Sequence, residues 1–177
     1  TSAILSSHDF SRPAVTALAA PFDLVHVSFS KGLGAPGGSM LAGPRGLIER
    51  AVRYRRMSGG AMRQVGIFAA AALYALDHNL DRLAEDHENA RLMADRLATS
   101  PRIILDPAAV TTNILVFGLA PAAPDAATVV AGARERGVLV FAYGARKIRA
   151  VTHLDVTREQ CTRAAGILAE IAEGAVA

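Results

Sequence analysis

The run Ser30-Lys31-Gly32-Leu33-Gly34-Ala35-Pro36-Gly37-Gly38 sets one lysine among small residues. A lysine amine attacks an aldehyde when its neutral form is accessible, which desolvation or a nearby cation achieves. Glycines beside it let a flat cofactor approach the backbone closely. A surface lysine in a glycine-rich turn has the same residues, and composition leaves both readings open. The second segment is Met57-Ser58-Gly59-Gly60-Ala61-Met62-Arg63-Gln64. Its glycines would leave backbone N–H groups free at a helix start, where they attract phosphate. Arg63 adds a guanidinium suited to two-pronged phosphate contact. The plainer reading is a connector between helices with a surface arginine. The third is Arg149, in a run otherwise made of Ile148, Ala150, Val151 and Thr152. An arginine in so apolar a strand needs an anionic partner, because an unpaired buried charge is very costly. That partner is either a substrate carboxylate or, more simply from the spacing, Asp155.

These residues need elements to hold them. Leu24 to Ser30 alternates, with Val25, Val27 and Phe29 on one side, and predicts a strand that ends at Lys31. A short apolar strand, Ser39 to Ala42, follows the turn. Pro44 opens a helix to about Met57. Ser58-Gly59-Gly60 breaks it, and the next helix is predicted from near Ala61, with Val65, Phe68, Ala69, Ala72, Leu73 and Leu76 on one apolar face. A third helix, about Asp81 to Ala98, turns Leu83, Ala90, Met93, Ala94 and Leu97 inward.

Pro101 marks a boundary, so residues 1–99 and 100–177 are read as two domains. The second is predicted as strand (Thr112 to Phe117), helix (Asp125 to Arg136), strand (Val138 to Phe141), strand (Lys147 to Thr152) and helix (Arg158 to Ala175). Thr157-Arg158-Glu159-Gln160 has the pattern of a capping box. The unbroken apolar run Val138-Leu139-Val140-Phe141 should be covered on both faces. The Ala/Pro run Ala120 to Pro124 reads as a loop.

Composition narrows the function classes. The chain has 177 residues, 51% hydrophobic and 20% charged, as an ordinary globular protein has. Its longest apolar stretch, Ile67 to Leu76, is far below the roughly 20 residues that cross a bilayer. No basic-then-apolar leader opens the sequence, so we expect no secretory signal and no membrane association. Cys161 is the sole cysteine, which rules out an intrachain disulfide and cysteine-pair metal sites and fits a cytoplasmic protein. We expect no metal. Net charge is +3, yet Arg45, Arg50, Arg53, Arg55, Arg56 and Arg63 crowd one stretch with only Glu49 among them. Nucleic-acid binding would need an aromatic platform or a binding motif, and neither accompanies the cluster. It reads as a solvated helix face with one or two anion-binding arginines.

Four motifs in order carry a resemblance: Phe29-Ser30-Lys31-Gly32-Leu33-Gly34-Ala35-Pro36, then Met57-Ser58-Gly59-Gly60-Ala61-Met62-Arg63-Gln64, then Glu85-Asp86-His87-Glu88-Asn89-Ala90, then Val151-Thr152-His153-Leu154-Asp155-Val156. In order and spacing the chain resembles the C-terminal half of low-specificity threonine aldolases, which are fold-type I pyridoxal-phosphate enzymes. The resemblance runs from about Ala14 onward. It implies a fold that is α/β and α+β: the end of a large, mostly parallel sheet domain followed by a small α+β domain. It implies pyridoxal 5'-phosphate as cofactor and Lys31 as the catalytic residue forming the internal Schiff base. Ser30 and Gly32 would shape the cofactor site. Arg63 matches an arginine that reaches the cofactor phosphate of a neighbouring subunit, and Arg149 one that binds the substrate carboxylate. His87, His153 and Asp155 match too, and we read them as packing and hydrogen-bonding residues. His8, His26 and His78 carry nothing over.

The activity implied is retro-aldol: cleavage of a β-hydroxy-α-amino acid, of threonine or phenylserine type, into glycine and an aldehyde, or the reverse synthesis. The family's upstream portion holds a phosphate loop, a histidine stacked on the cofactor ring and an Asp-Gly-Ala-Arg segment. TSAILSSHDF stands where that segment's tail should lie, without its aspartate or arginine. Lys31 alone supplies attachment without control of the ring. We therefore expect one subunit of a split enzyme, paired with a separate N-terminal-half chain as a dimer of heterodimers or larger. The alternatives are a fragment of an ordinary aldolase, a catalytically inert scaffold, or another lyase or an aminotransferase on the same scaffold.

Overall fold

The structure is a computed structural model and describes residues 12–174. The predicted boundary at 99/100 and the observed division differ: two compact units meet between Leu83 and Ala84. The helix Leu83–Leu97 explains the difference, because Ala90, Met93, Ala94 and Leu97 are buried in the second unit's core.

The first unit runs α1 (Arg12–Ala19), β1 (Val25–Ser28), β2 (Ser39–Ala42), α2 (Arg45–Met57) and α3 (Gly66–His78). β1 and β2 form an antiparallel pair in the register Val25↔Ala42, His26↔Leu41, Val27↔Met40 and Ser28↔Ser39. All four residues of β2 are exposed. The core here is small: Phe29, Leu33, Ala35, Ala72, Ala75 and Leu83, with Val27, Ala71 and Leu80 against it. No residue of α2 is buried, and its arginines lie in solvent, as a solvated helix face requires.

Two sequence expectations fail in this unit. The helix predicted from Ala61 begins at Gly66, because Gln64 takes a left-handed φ of 53° that no helix interior accommodates. The apolar face of that helix is only partly covered. Ala72 is buried, whereas Val65 and Leu73 are exposed and border an apolar groove of about 370 Å³ with Phe68 and Met40.

The second unit runs α4 (Leu83–Leu97), β3 (Ile103–Ile104), a 3-10 turn (Pro107–Ala109), β4 (Ile114–Leu119), α5 (Ala126–Glu135), β5 (Phe141–Gly144), β6 (Lys147–Val151) and α6 (Arg158–Ala172). Its sheet is antiparallel, in the order β3-β4-β6-β5. One face is dry: Leu115, Phe117, Ile148 and Ala150 pack with Val129 and Ala133 of α5 and Ala165 and Leu168 of α6. The predicted capping box is present. Gln160 N donates to Thr157 Oγ1 at 3.2 Å, and Thr157 N donates to Gln160 Oε1 at 2.8 Å. Asp125 caps α5 by accepting from Thr128 N at 2.8 Å. The loop 120–124 is pinned by Arg146, whose Nε donates to Leu119 O at 3.1 Å and whose Nη2 donates to Ala120 O and Ala123 O.

The run 138–141 departs from its prediction. Residues 138–140 lie outside any strand, and β5 starts at Phe141 on the sheet edge. Leu139 is 79% and Phe141 65% exposed while Val138 and Val140 pack against the core, so this run is covered on one side only.

Candidate active site

Lys31 sits just past the end of β1, on a turn that the sequence specifies residue by residue. Gly34 N donates to Lys31 O at 2.8 Å and closes the turn, with Gly34 at φ 71°. Ala35 N donates to Phe29 O at 2.9 Å, and Phe29 N donates to Gly38 O at 3.1 Å. Gly38, at φ 99°, holds a conformation that side chains rarely adopt. Leu33 plugs the turn into the core, whereas the Lys31 side chain is exposed.

The two proposed neighbours differ in setting. Ser30 is exposed, with its hydroxyl 3.4 Å from that of Ser28. Gly32 is half-buried, and a Cβ there would stand 2.7 Å from Leu83 Cδ2. At the far end of the loop, a Cβ on Gly37 would stand 2.7 Å from the Phe68 ring. The glycines thus allow close packing on their inner side.

The glycines before Arg63 do something other than the sequence suggested. Ser58 N donates to Tyr54 O, Gly59 N to Arg56 O and Gly60 N to Arg55 O, at 2.9, 3.1 and 2.7 Å. Those N–H groups close the C-terminus of α2, with Gly59 at φ 76°, and are not free for phosphate at the start of α3. Arg63 follows in the connector and is exposed. It makes no ion pair among the described residues.

Arg149 lies in the second unit, in the central strand β6. The burial of β6 alternates: Ile148 and Ala150 face the core, and Lys147, Arg149 and Val151 face the other way. Arg149 pairs across the ladder with Val116 on one side and Phe141 on the other, a row on the open face. The apolar run is therefore not a buried environment, and Arg149 is half-exposed. It forms no ion pair among the described residues. Asp155 instead lies 3.3 Å from His153 Nδ1.

The remaining motif residues lie on α4 and at and just past the end of β6. Asp86, His87 and Asn89 are buried on α4, where they pack rather than face solvent. Thr152 is buried too: its hydroxyl donates to Asp86 O at 2.5 Å, and its carbonyl accepts from Asn113 Nδ2 at 2.8 Å. Cys161 is buried in α6, and desolvation with the charge of Asp86 pushes its thiol up, away from reactivity. His8 and the segment TSAILSSHDF fall outside the described residues. Among the described residues no group of side chains could hold a metal ion, and no helix is long and apolar enough to cross a membrane.

One residue that sequence reasoning passed over belongs to the site. Asn79, at the C-cap of α3, donates from Nδ2 to Leu33 O at 2.8 Å, across 46 positions of chain. No local pattern signals such a bond. An asparagine at a helix C-terminus reads as an ordinary stop.

An exposed amine thus stands on a hydrogen-bonded glycine turn past the end of a strand, in the unit that precedes a small antiparallel α+β unit in the chain. The family model of the beta-eliminating lyases matches residues 7–120, and the chain belongs to that family. It is 44% identical over 143 residues to the low-specificity L-threonine aldolase of Escherichia coli (strain K12), covering 81% of this chain and 41% of that protein. The chain thus spans less than half the length of this relative. Two solved structures share the fold. One, from Exiguobacterium sp. 255-15, is provisionally assigned as an aromatic amino acid beta-eliminating lyase/threonine aldolase. It superposes with a TM-score of 0.74 at 18% identity, covering 95% of this chain and 49% of that one. The other, provisionally assigned as an L-allo-threonine aldolase of Listeria monocytogenes EGD-E, has a TM-score of 0.72 at 22% identity, covering 90% and 46%.

Proposed function

We propose that this chain is the Lys31-bearing C-terminal half of a pyridoxal-phosphate-dependent aldolase. The substrate class is a β-hydroxy-α-amino acid, cleaved to or formed from glycine and an aldehyde. One observation carries the reading: an exposed amine on a hydrogen-bonded turn, in a chain 44% identical to a low-specificity L-threonine aldolase. The donor set suits the cofactor, since a primary amine fits its aldehyde and an arginine free of carboxylates fits its phosphate. Bound there, pyridoxal phosphate supplies an electron sink for the bond broken at the substrate Cα.

The chain's own residues then have distinct tasks. Lys31 Nζ anchors the cofactor and, when an amino acid takes its place, is left as an amine able to carry a proton. Arg149 holds the substrate carboxylate with its planar guanidinium. Arg63 reaches the cofactor phosphate of a neighbouring subunit, and Ser30 and Gly32 shape the floor. The base for the β-hydroxyl proton is assigned to the N-terminal half.

That half is proposed to be a separate chain, giving two copies of each as the smallest working unit, in the cytoplasm. The support is the 41% coverage of the E. coli relative, with motifs for attachment, phosphate and carboxylate all retained here. The same coverage suits a portion of a single-chain aldolase, and the intact mass of the purified protein decides between them. Co-expression with the N-terminal half should restore glycine release from threonine or phenylserine. An assembled complex without that activity would sink the proposal. Lys31→Ala should abolish borohydride fixation of the cofactor to this chain.

A further inference from the structure

We infer that Asn79 is a positioning residue for Lys31: its side-chain amide clamps the turn that carries the lysine and so fixes the direction of the amine. The inference rests on the reading of Lys31 as the attachment residue.

Four features of the geometry support it. Leu33 O accepts at 2.8 Å, and a carbonyl only accepts, so the atom of Asn79 that faces it is the donating Nδ2. Leu33 is the third residue of the turn that Gly34 N closes on Lys31 O, so a hold on Leu33 O is a hold on the Leu33–Gly34 peptide, whose N–H makes that closing bond. The bond is part-buried, and Leu33 itself is 4% exposed, so water does not readily replace the amide. The Lys31 side chain is exposed and makes no hydrogen bond or ion pair among the described residues, so its aim depends on its backbone.

The loop is seated on α3 at both ends. Phe68, in the first turn of the helix, lies against Gly37, and Asn79, just past its last turn, holds Leu33. Phe68 supplies contact, which tolerates sliding. Asn79 supplies a directional bond, which does not. A nucleophile displaced by a small distance loses rate steeply, so the bond matters beyond the stability it adds.

The test uses the full chain with whatever polypeptide copurifies, in Asn79→Asp and Asn79→Ala forms. Aspartate keeps the shape and removes the donor. Alanine removes both and serves if the first fails to fold. His78→Ala is the control, since His78 is exposed and bonds only to Tyr74 O within its own helix. Two readouts are taken: amide hydrogen exchange at Gly34 and Ala35, and the rate at which added pyridoxal phosphate becomes fixable to Lys31 by borohydride. The expected result is exchange faster by about tenfold, as loss of one such bond allows, with fixation slowed by about the same factor. Unchanged exchange overturns the proposal. Faster exchange with an unchanged fixation rate reduces Asn79 to a structural residue and also overturns it. Absence of fixation to Lys31 in the unsubstituted protein overturns both this inference and the aldolase reading, whereas wild-type fixation with normal rates in both variants overturns this inference alone.

Discussion

The two units solve the problem of staying folded in different ways. From Ala84 onward, four strands and three helices enclose a continuous core in which Leu115, Phe117, Val129, Ile148 and Leu168 are at most 1% exposed. Both of its later helices start on a side-chain cap. Among its described residues, the unit ending at Leu83 has six buried hydrophobic residues, a two-stranded hairpin and two helices without a side-chain N-cap bond. A two-stranded hairpin is marginal in water by itself. The lesson is that the unit bearing Lys31 draws its definition from backbone conformation and from surfaces it leaves open, while the other draws its definition from burial.

The strongest way to break this comparison is to truncate one large residue in each unit. Phe117→Ala in the sheet core should cost about 3–5 kcal/mol, measured by urea denaturation. Met40→Ala, where the side chain is 46% exposed on β2, should stay within about 0.5 kcal/mol. A large loss from Met40→Ala in the purified protein would mean that the hairpin is covered by a partner. That outcome would end the contrast and strengthen the proposal of a second half.

Backbone conformation is the next point of attack. Gly38→Ala should cost about 1–2 kcal/mol, because φ 99° forces a side chain into a disfavoured region. Its Cβ would meet only Phe68 Cβ, at 3.6 Å, so conformation and not crowding sets the effect. The same substitution should loosen the bond from Phe29 N to Gly38 O, readable as faster exchange of that amide. A stability equal to wild type would show that the loop is not held in this form.

How much of this was legible depended on how local each signal was. Alternation predicted β1, and the order of polar residues around Thr157 predicted the cap of α6. The glycines around Lys31 announced a turn, and the turn is there. Signals that needed a distant partner misled. In Val138 to Phe141 the two valines pack against the core and Leu139 and Phe141 are exposed, and an apolar run does not say which face is covered. Arg149 seemed buried because its neighbours in sequence are apolar, yet alternate residues of a strand face opposite sides. Gly59 and Gly60 serve the helix before them, not the one after, a choice fixed by the bonds to Arg55 and Arg56. Asn79 was silent, since its partner is 46 positions away.

A smaller effect sharpens the contrast at the helix starts. Thr157→Ala removes the hydroxyl that accepts from Gln160 N and leaves the backbone N–H of residue 157 to donate to Gln160 Oε1, and should cost about 1 kcal/mol in thermal denaturation. Gln160→Ala should cost less, because only the reciprocal bond is lost. No corresponding substitution exists at Pro44 or Val65, where no side-chain bond is present to lose.

The smallest effect expected is also the one with a sign that pH can test. The bond from Thr128 N to the Asp125 carboxylate, with help from the Thr128 side chain and the charge of Arg146, lowers this group from its ordinary value of 3.8. A carboxyl lowered in the folded state binds its proton less readily there than in the unfolded chain. Its contribution is therefore present above the unfolded value and lost as pH falls through the folded one. Asp125→Asn keeps an accepting oxygen at the cap and removes the titration. The melting temperatures of the two proteins should then differ by a constant amount above about pH 5. Below it the unsubstituted protein should lose ground to the variant as the carboxylate is protonated. Asp125 is fully exposed, so salt should shrink the Arg146 contribution and leave the Thr128 bond as the main cause. A difference that stays flat from pH 5 down to acid unfolding would show that the cap works equally well protonated, and that the charge at this helix start contributes nothing.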